Sequence, residues 1–221
     1  MRFEVANTPP RTIYNLINGL VAPRPIAWVT TLNPDGSVNA APFSSYNYLC
    51  MNPPILGFGV AAGPDGNRPV KDTARNIDRT GEFVVNVVTE DLGEKMNITG
   101  VDFPPGVSEL EMAGLTAEPS QVVKPPRIKE AHAALECRRY QMIKPGPGES
   151  RIVLGKVVAI YVEDQFIDPA GPYVLAKDLH ALGRMNGLSY YVHTRDAFLE
   201  IKRMNYEEWR SADRPQGDRP S

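Results

Sequence analysis

The sequence has little cysteine and histidine, and their spacing excludes several kinds of site. Two cysteines, Cys50 and Cys137, and three histidines occur among 221 residues. The cysteines form no CxxC pair and the histidines no HxxxH motif, so neither a disulfide scaffold nor a metal-binding motif is indicated. We therefore expect reduced thiols, a cytoplasmic location and no metal site.

Long hydrophobic runs and strong charge are also missing. No apolar stretch approaches the roughly 20 residues of a membrane helix, and residues 1–10 contain no apolar signal core. The formal net charge of -2 gives no electrostatic reason to expect nucleic acid or an anionic membrane as a partner. The motifs GxSxG, GxGxxG and GxxxxGKS/T are absent as well, which leaves serine hydrolases, Rossmann folds and P-loop proteins unsupported.

Proline and glycine, by contrast, are abundant, with 21 and 18 copies. They divide the chain into short segments, which favours strands over long helices. Stretches rich in β-branched and aromatic residues predict strands over residues 26–32, 37–41, 55–60, 83–89, 134–143 and 151–163. We expect one mainly β domain over residues 1–205, an antiparallel barrel with a few short peripheral helices, followed by a disordered polar tail over residues 206–221.

Short helices are predicted between these strands. Residues 8–20 have Thr8 as a candidate cap and apolar residues at helical spacing, so one face should be buried. The remaining helices are expected over residues 72–79, 90–98 and 178–185, and the proline-rich stretch 101–128 is expected to be irregular.

The first candidate site is the segment 67–73, which leads into a predicted helix. Free backbone N–H groups and the positive end of the helix dipole favour an anion there. Arg68 and Lys71 add positive charge, Asp72 is the expected helix cap, and Thr73 adds a hydroxyl donor. Taken alone, the segment also suits a surface helix with solvated cations.

Two further segments combine aromatic and hydrogen-bonding residues. Residues 42–48, which include Ser44, Ser45, Tyr46 and Asn47, offer stacking faces and polar edges that suit a flat heteroaromatic ring. They equally suit a strand end with polar turn residues. Residues 23–31 place Arg24 rigidly between two prolines and put Trp28 in a strand, where a tryptophan is more often part of the core.

Five segments in order resemble the flavin reductase-like family. They are PRPIAWVTTLNPDGSVNAAPFSSYNYL, NPPILGFG, KDTARNIDRTGEFVVNVV, MNITGVDFPPGVSELEMAGL and KPPRIKEAHAALEC. The family has the FMN-binding split-barrel fold and includes flavoredoxins and the reductase components of two-component monooxygenases. The resemblance runs from about Arg11 to His193.

The resemblance implies a homodimer that holds FMN near the subunit interface. It implies that the flavin ring lies against the strand with Trp28, Thr30 and Thr31 and against the segment Ser44 to Asn47. It places the phosphate near Lys71, Asp72 and Thr73. A late segment that approaches the flavin is matched by Arg184, Gly187 and Tyr190.

The resemblance implies an NAD(P)H:flavin oxidoreductase as the function. NADH or NADPH would donate the electrons, the flavin would carry the chemistry, and the protein would bind and orient it. The cations expected near the flavin are Arg24, Lys71 and Arg184, and no residue is predicted as a proton-transfer catalyst. A partner oxygenase or another redox protein would take the electrons.

Two alternatives stay open at this point. One is a flavoredoxin-like electron carrier that keeps FMN tightly bound and receives electrons from another protein. The other is a non-catalytic split-barrel module that no longer binds flavin, because a fold alone does not fix a function.

Overall fold

The fold was analysed in a computed structural model of the chain. The described residues are 1–63, 69–104, 106–187, 189–196, 198–201 and 203–211. Asn67 and Arg68 of the predicted anion site lie outside them.

The described part of the chain is mainly β. Its strands are β1 (Ala27–Leu32), β2 (Val38–Phe43), β3 (Tyr46–Met51), β4 (Pro54–Val60), β5 (Glu82–Val87), β6 (Ala117–Glu118), β7 (Arg127–Ile128), β8 (Ala133–Ile143), β9 (Arg151–Val162), β10 (Leu182–Arg184) and β11 (Tyr191–His193). The helices are α1 (Pro10–Leu20), α2 (Asp72–Thr80), α3 (Gly93–Ile98), α4 (Glu109–Met112) and α5 (Tyr206–Ser211).

Seven strands form one antiparallel sheet in the order β2-β1-β5-β8-β9-β4-β3. Two small hairpins, β6–β7 and β10–β11, lie beside it. The mainly β fold with short peripheral helices, predicted from the sequence, is thereby confirmed. The strongest predicted strand, around residues 83–89, is β5, which pairs with β1 and β8 inside the sheet.

Apolar side chains cover both faces of β1 and β5. On one face, Ala27, Val29 and Val85 join a cluster with Phe58 and Phe83. On the other face, buried residues of β1 and of α3, α4 and the segment that precedes β8 pack together, namely Trp28, Met96, Leu110 and Ile128. Because strand side chains alternate between faces, β1 contributes to both clusters.

Gly155 allows β9 to lie close to the aromatic cluster. A Cβ atom at this position would lie 2.3 Å from Cζ of Phe83, so any larger residue would force the ring to move. The ring of Phe83 in turn meets that of Phe58 edge-on, with centroids 5.6 Å apart.

Helix α1 corrects one expectation. None of its residues is buried, and Ile17 and Leu20 are exposed, although its apolar pattern predicted a buried face. Its N-cap is Pro9, and the Thr8 hydroxyl donates to the Glu4 carbonyl rather than capping the helix. Within the described residues, Ile17 and Leu20 of α1 therefore stay without cover.

Three further predictions need correction. Residues 46–51 form β3, which the sequence reasoning assigned to a connecting segment. The helix expected over residues 178–185 is replaced by a turn and by β10. Residues 206–211 form α5, whereas disorder was expected from residue 206 onward, and residues 212–221 lie outside the described part.

Candidate functional site

One cavity of the described structure brings several predicted site residues together and has a volume of about 490 Å³; we call it the principal cavity for that reason. Its wall is formed by β2, the start of α2, the end of α3 and the β10–β11 hairpin, and α1 contributes two residues. Cavities of this size hold small organic ligands in many proteins. Of the predicted site residues, those that line the cavity are Arg24, Ser44, Lys71, Asp72, Thr73 and Arg184.

The start of α2 provides one end of this cavity. Lys71 is the N-cap residue and makes no side-chain cap, which corrects the expectation that Asp72 caps the helix. The first backbone N–H groups of a helix have no intrahelical acceptor, and the helix dipole is positive at this end. The Nζ atom of Lys71 lies 3.5 Å from Oδ1 of Asp102, and Asp72 pairs with Arg75. An anionic group is therefore favoured here.

A buried network of polar side chains connects α2 with the sheet. The amide of Asn39, on β2, donates to Oγ1 of Thr31 at 3.2 Å and to Oγ1 of Thr73 at 3.0 Å. The amide of Asn76 donates to the same Thr31 hydroxyl at 3.1 Å. All four residues are buried, so the network fixes the first turn of α2 against β1 and β2.

The β1 residues predicted to contact a ring do not reach the cavity. Trp28, Thr30 and Thr31 have no exposed surface, because neighbouring segments cover both faces of β1. The Trp28 indole N–H donates to Oγ1 of Thr99 at 2.9 Å, and Thr99 lines the cavity at the end of α3. The side chains of these three residues therefore lie behind the cavity wall, and their contact with a bound ring stays a prediction.

Two arginines meet where α1, the loop before β1 and the β10–β11 hairpin come together. Arg24 and Arg184 exchange backbone hydrogen bonds of 2.9 and 2.8 Å. The Arg24 guanidinium donates to the carbonyls of Asn18 at 2.7 Å and Met185 at 3.0 Å. Its buried Nε has no hydrogen-bond partner among the described residues. Burial and the nearby charge of Arg184 both lower the pKa of Arg24 from its usual value.

The β10–β11 hairpin contributes three residues to the cavity. The guanidinium of Arg184 lies over the Tyr191 ring, 4.6 Å from its centroid, and donates to the Gly187 carbonyl at 3.1 Å. All three of these residues line the cavity. Tyr190, the predicted contact, is 68% exposed and does not line it, whereas its neighbour Tyr191 does.

The segment from Ser44 to Asn47 is only partly at the site. Ser44 lines the cavity, Ser45 and Asn47 are exposed elsewhere, and Tyr46 packs against the aromatic core cluster. Burial is the main cause that raises the pKa of Tyr46 to about 12. Because β3 begins at Tyr46, its residues follow the sheet edge away from the cavity.

Charges of both signs line the cavity. The cations are Arg24, Lys71, Arg75 and Arg184, and the anions are Asp72, Asp102 and Glu109. Burial raises the pKa of Glu109 from its usual value. This reduces the cost of keeping a carboxyl group in the cavity, because the neutral form becomes easier to populate.

Several lining residues were missed by the sequence reasoning. Tyr14 and Asn18 come from α1, whose contribution no local signal indicates. Asn39 could have been noticed, because an amide within a strand beside small apolar residues is an unusual inward-facing group. Thr99, Gly100 and Phe103 come from the end of α3 and the irregular stretch after it.

Among the described residues, no group of three or more His, Cys, Asp or Glu side chains is arranged to hold a metal ion. No helix in the described ranges has both the length and the apolar character that crossing a bilayer requires.

Comparison with known proteins identifies the family. Residues 20–180 match the model of the flavin reductase like domain. The chain belongs to the flavin reductase-like family. An uncharacterized protein of Aquifex aeolicus is 44% identical over 202 residues, which cover 91% of this chain and 98% of the relative.

Two solved structures extend the similarity to the fold. The 2-nitrobenzoate 2-nitroreductase NbaA of Pseudomonas fluorescens is 34% identical, with a TM-score of 0.83 and coverage of 93% of this chain and 98% of that one. Nitrilotriacetate monooxygenase component B of Bacillus cereus is 30% identical, with a TM-score of 0.82 and coverage of 92% and 98%. As a flavin reductase-like protein, the chain has the split-barrel fold predicted for it, and the family implies a flavin ligand.

Proposed function

We propose that this flavin reductase-like protein binds FMN in the principal cavity and passes electrons to it from NADH or NADPH for a partner or acceptor. The observation that carries the proposal is the start of α2, where Lys71 and Thr73 face a cavity of about 490 Å³. A phosphate-bearing ligand suits this arrangement, since backbone N–H groups and a cation meet at the same part of the cavity wall.

The residues present fit FMN on two counts. The helix start offers donors for a dianionic phosphate, and Arg24 and Arg184 add positive charge at another part of the wall. The buried Arg24 Nε has no acceptor within the described residues. Because Asp72, Asp102 and Glu109 also line the cavity, its excess of positive charge is only about one unit. The fit to FMN therefore depends on where the cations lie more than on the net charge.

The protein's own residues then have defined roles. Lys71 and the α2 backbone bind the phosphate, and the network of Asn39 and Thr73 keeps that helix turn in place. Arg24 and Arg184 offset negative charge that develops near them during reduction. A bound flavin would itself accept hydride from NADH or NADPH and pass electrons on. No acid–base residue of the protein is therefore needed.

We also propose that a second copy of this chain completes the molecule. Ile17 and Leu20 on α1 and Tyr48, Leu49 and Met51 on β3 are exposed apolar side chains. Exposed apolar surface of this kind marks a contact with another protein. A homodimer that covers these surfaces agrees with the expectation from the family resemblance.

A nitroaromatic acid is a second candidate acceptor. It is favoured by the 34% identity to a protein described as a 2-nitrobenzoate 2-nitroreductase, over nearly the full length of both chains. The similarity to a monooxygenase component at 30% favours delivery of reduced flavin to an oxygenase instead. Both acceptors would follow the same first half-reaction, in which NADH or NADPH reduces the bound flavin.

The deciding experiment is an absorption spectrum of the purified protein with added FMN, before and after anaerobic NADH or NADPH. Flavin bands that bleach promptly support the reductase. Bands that persist until a protein or chemical donor is added support the electron carrier, and failure to bind FMN or FAD contradicts the proposal. Consumption of 2-nitrobenzoate after NADH addition distinguishes the nitroaromatic acceptor.

Lys71→Ala tests the proposed phosphate position. We expect FMN affinity to fall about three- to tenfold, because a charge-assisted contact is lost, while the free energy of unfolding changes little. Lys144→Ala is the matched control, since Lys144 is similarly exposed (45% against 40%) and also pairs with a carboxylate, Glu149. Equal effects of the two variants on FMN affinity would refute this placement.

A further inference from the structure

The charges of the principal cavity are unevenly distributed. Two of its four cations lie beside the β10–β11 hairpin, whereas its three carboxylates gather around the start of α2. Asp72 belongs to that helix, and Asp102 pairs with Lys71. Burial, with a smaller contribution from the charge of Asp72, raises the pKa of Glu109, so Glu109 is near as well. Carboxylates therefore outnumber the cations Lys71 and Arg75 at the end proposed for the phosphate.

Both cations at this end already have a carboxylate partner. The Nζ atom of Lys71 lies 3.5 Å from Oδ1 of Asp102, and Arg75 pairs with Asp72 on the same helix. The side chain of Lys71 is 40% exposed and that of Asp102 is 78% exposed, so the pair is open to solvent and to a ligand. A phosphate that enters this end of the cavity meets a lysine whose charge is engaged.

The loop after α3 holds Asp102 at the cavity. Thr99, at the start of this loop, is buried, and its hydroxyl accepts from the Trp28 indole at 2.9 Å and donates to the Met96 carbonyl at 2.7 Å. Asp102 follows three residues later, and all residues from 99 to 103 line the cavity. Asp102 is thus carried by a segment that is fixed to the core close by.

A bound phosphate and the Asp102 carboxylate require the same positive charge. The ammonium group of Lys71 has three N–H donors, so it can turn from Asp102 to the phosphate or be shared by both. In the first case the ion pair is lost. In the second case two negative groups lie beside one ammonium and repel each other. Either arrangement removes part of the affinity that Lys71 would otherwise provide.

We infer that Asp102 is a specificity-determining residue of the proposed flavin site: by competing with the ligand phosphate for Lys71, it lowers the preference of the cavity for FMN over riboflavin and keeps FMN exchangeable. The inference rests on the proposed function, which assigns the FMN phosphate to the start of α2. It favours a reductase that releases reduced FMN over a carrier that keeps its flavin. Because exposed ion pairs are of modest strength, the expected effects are a few-fold.

The test measures the dissociation constants of FMN and riboflavin for the unmodified full chain and for Asp102→Asn. All measurements use one ionic strength, because salt screens exposed charges. Asp102→Asn removes the negative charge and keeps the size of the side chain. It should bind FMN about three- to fivefold more tightly, and riboflavin, which has no phosphate, with unchanged affinity. An equal gain for both flavins, or no gain for FMN, overturns the inference.

Asp78→Asn is the matched control. Asp78 lies on α2 but does not line the cavity, its side chain is 71% exposed, and it pairs with Arg139. The variant removes the same charge from a similarly exposed ion pair. Its FMN affinity should stay within about 1.5-fold of that of the unmodified chain. A gain as large as that of Asp102→Asn would mean that net charge alone decides, which contradicts the inference.

A double-mutant cycle with Lys71→Ala separates competition for Lys71 from simple repulsion of the phosphate. Without Lys71, the gain from Asp102→Asn should fall to about twofold or less, because only the repulsion then remains. The same gain in both backgrounds overturns the inference.

The rate of FMN release tests whether Asp102 keeps FMN exchangeable. Affinity differences between related complexes lie mainly in the dissociation rate. FMN should therefore leave Asp102→Asn about three- to fivefold more slowly than it leaves the unmodified chain. A stopped-flow experiment in which excess apoflavodoxin captures the released FMN measures this rate, and an unchanged rate contradicts the exchange part of the inference.

Inorganic phosphate and the flavin-free protein separate this inference from the proposed function. Phosphate should raise the midpoint of thermal unfolding more in Asp102→Asn than in the unmodified chain, and this difference should vanish when Lys71 is also replaced by alanine. If this pattern appears but FMN binds to no variant, the proposed function is wrong and the competition at Lys71 stands. If FMN binds but Asp102→Asn changes neither the FMN nor the phosphate response, the inference is wrong and the proposed function stands.

Discussion

The two walls of the principal cavity differ in how they are held. The wall formed by β2 and α2 rests on buried side chains behind it, with Thr31 of β1, Asn39 and Thr73 hydrogen-bonded to one another. The wall formed by the β10–β11 hairpin has strands of only three residues. It is held by backbone bridges and by ion pairs of Glu90 with His193 and Arg195. Few of its side chains are buried.

This difference predicts two kinds of behaviour. Damage to the sheet wall should reduce global stability, because its residues belong to the cooperative core. Damage to the hairpin should open it locally and weaken ligand binding with a smaller effect on the rest of the fold, because its attachment is made of few contacts. The four substitutions below test this contrast, from the largest expected effect to the smallest.

Trp28→Ala should have the largest effect on the sheet wall. It removes a fully buried indole and its hydrogen bond to Thr99, so the free energy of unfolding should fall by about 3–5 kcal/mol. Chemical denaturation measures this loss. Tyr173→Ala, at a side chain that is 73% exposed, is the control and should change stability by less than about 0.5 kcal/mol.

Asn39→Ala should cost about 1–3 kcal/mol in unfolding free energy, because the Thr31 and Thr73 hydroxyls lose a buried partner. FMN affinity should fall as well, since the first turn of α2 is less firmly held. Denaturation and FMN titration of the same variant measure both effects. Asn15→Ala, on the exposed surface of α1, should change neither, and a similar loss there would contradict a specific role for the network.

Gly183→Ala tests the hairpin wall. A Cβ atom at this position would lie 2.8 Å from Cγ1 of Val192 on the paired strand, which forces the two strands apart. We expect FMN affinity to fall about fivefold while global unfolding changes by about 1 kcal/mol or less. Gly146→Ala is the control, because no atom lies within 4 Å of its added Cβ. A loss of global stability as large as that of Trp28→Ala would remove the distinction between the walls.

Glu109→Gln should have the smallest effect. Because burial raises the pKa of Glu109 in the folded state, its ionised form opposes folding. This penalty shrinks as the pH falls through the raised pKa and is gone below the usual pKa of a glutamate. The variant should therefore be at least as stable as the unmodified chain at neutral pH, with no advantage in acid. FMN should bind about twofold more tightly, because a negative charge leaves the cavity. Glu111→Gln, an exposed neighbour on α4, should show neither change in pH-dependent denaturation or titration.

Features that depend on neighbours in the sequence were predicted well. The residues of β1, β4, β5, β8 and β9 are marked by β-branched and aromatic residues between turn signals, and the structure places strands there. The α2 helix and its end at Gly81, which has a φ of 70°, follow from local capping chemistry. The structure also places Lys71 at the start of α2, where the sequence placed it, while anion binding there stays a prediction.

Features that depend on distant contacts were not predicted. The apolar pattern of α1 shows that one face favours burial but cannot say what covers it. The segment 178–185 has helix-like spacing, yet it pairs as a strand because Val88 and Arg24 offer backbone partners. The strand of Trp28 was identified correctly, but its burial under Met96, Leu110 and Ile128 depends on segments far away in the sequence.

The sequence by itself determined the family, the positions of the main strands and the start of α2, because these rest on ordered motifs and local backbone preferences. Only the tertiary structure decided that Arg24 meets Arg184, that Asn39 ties α2 to the sheet, and that Asp102 meets Lys71. The physical reason is that such contacts join segments up to about 160 residues apart, as between Arg24 and Met185, and the compact packing of the whole chain selects them.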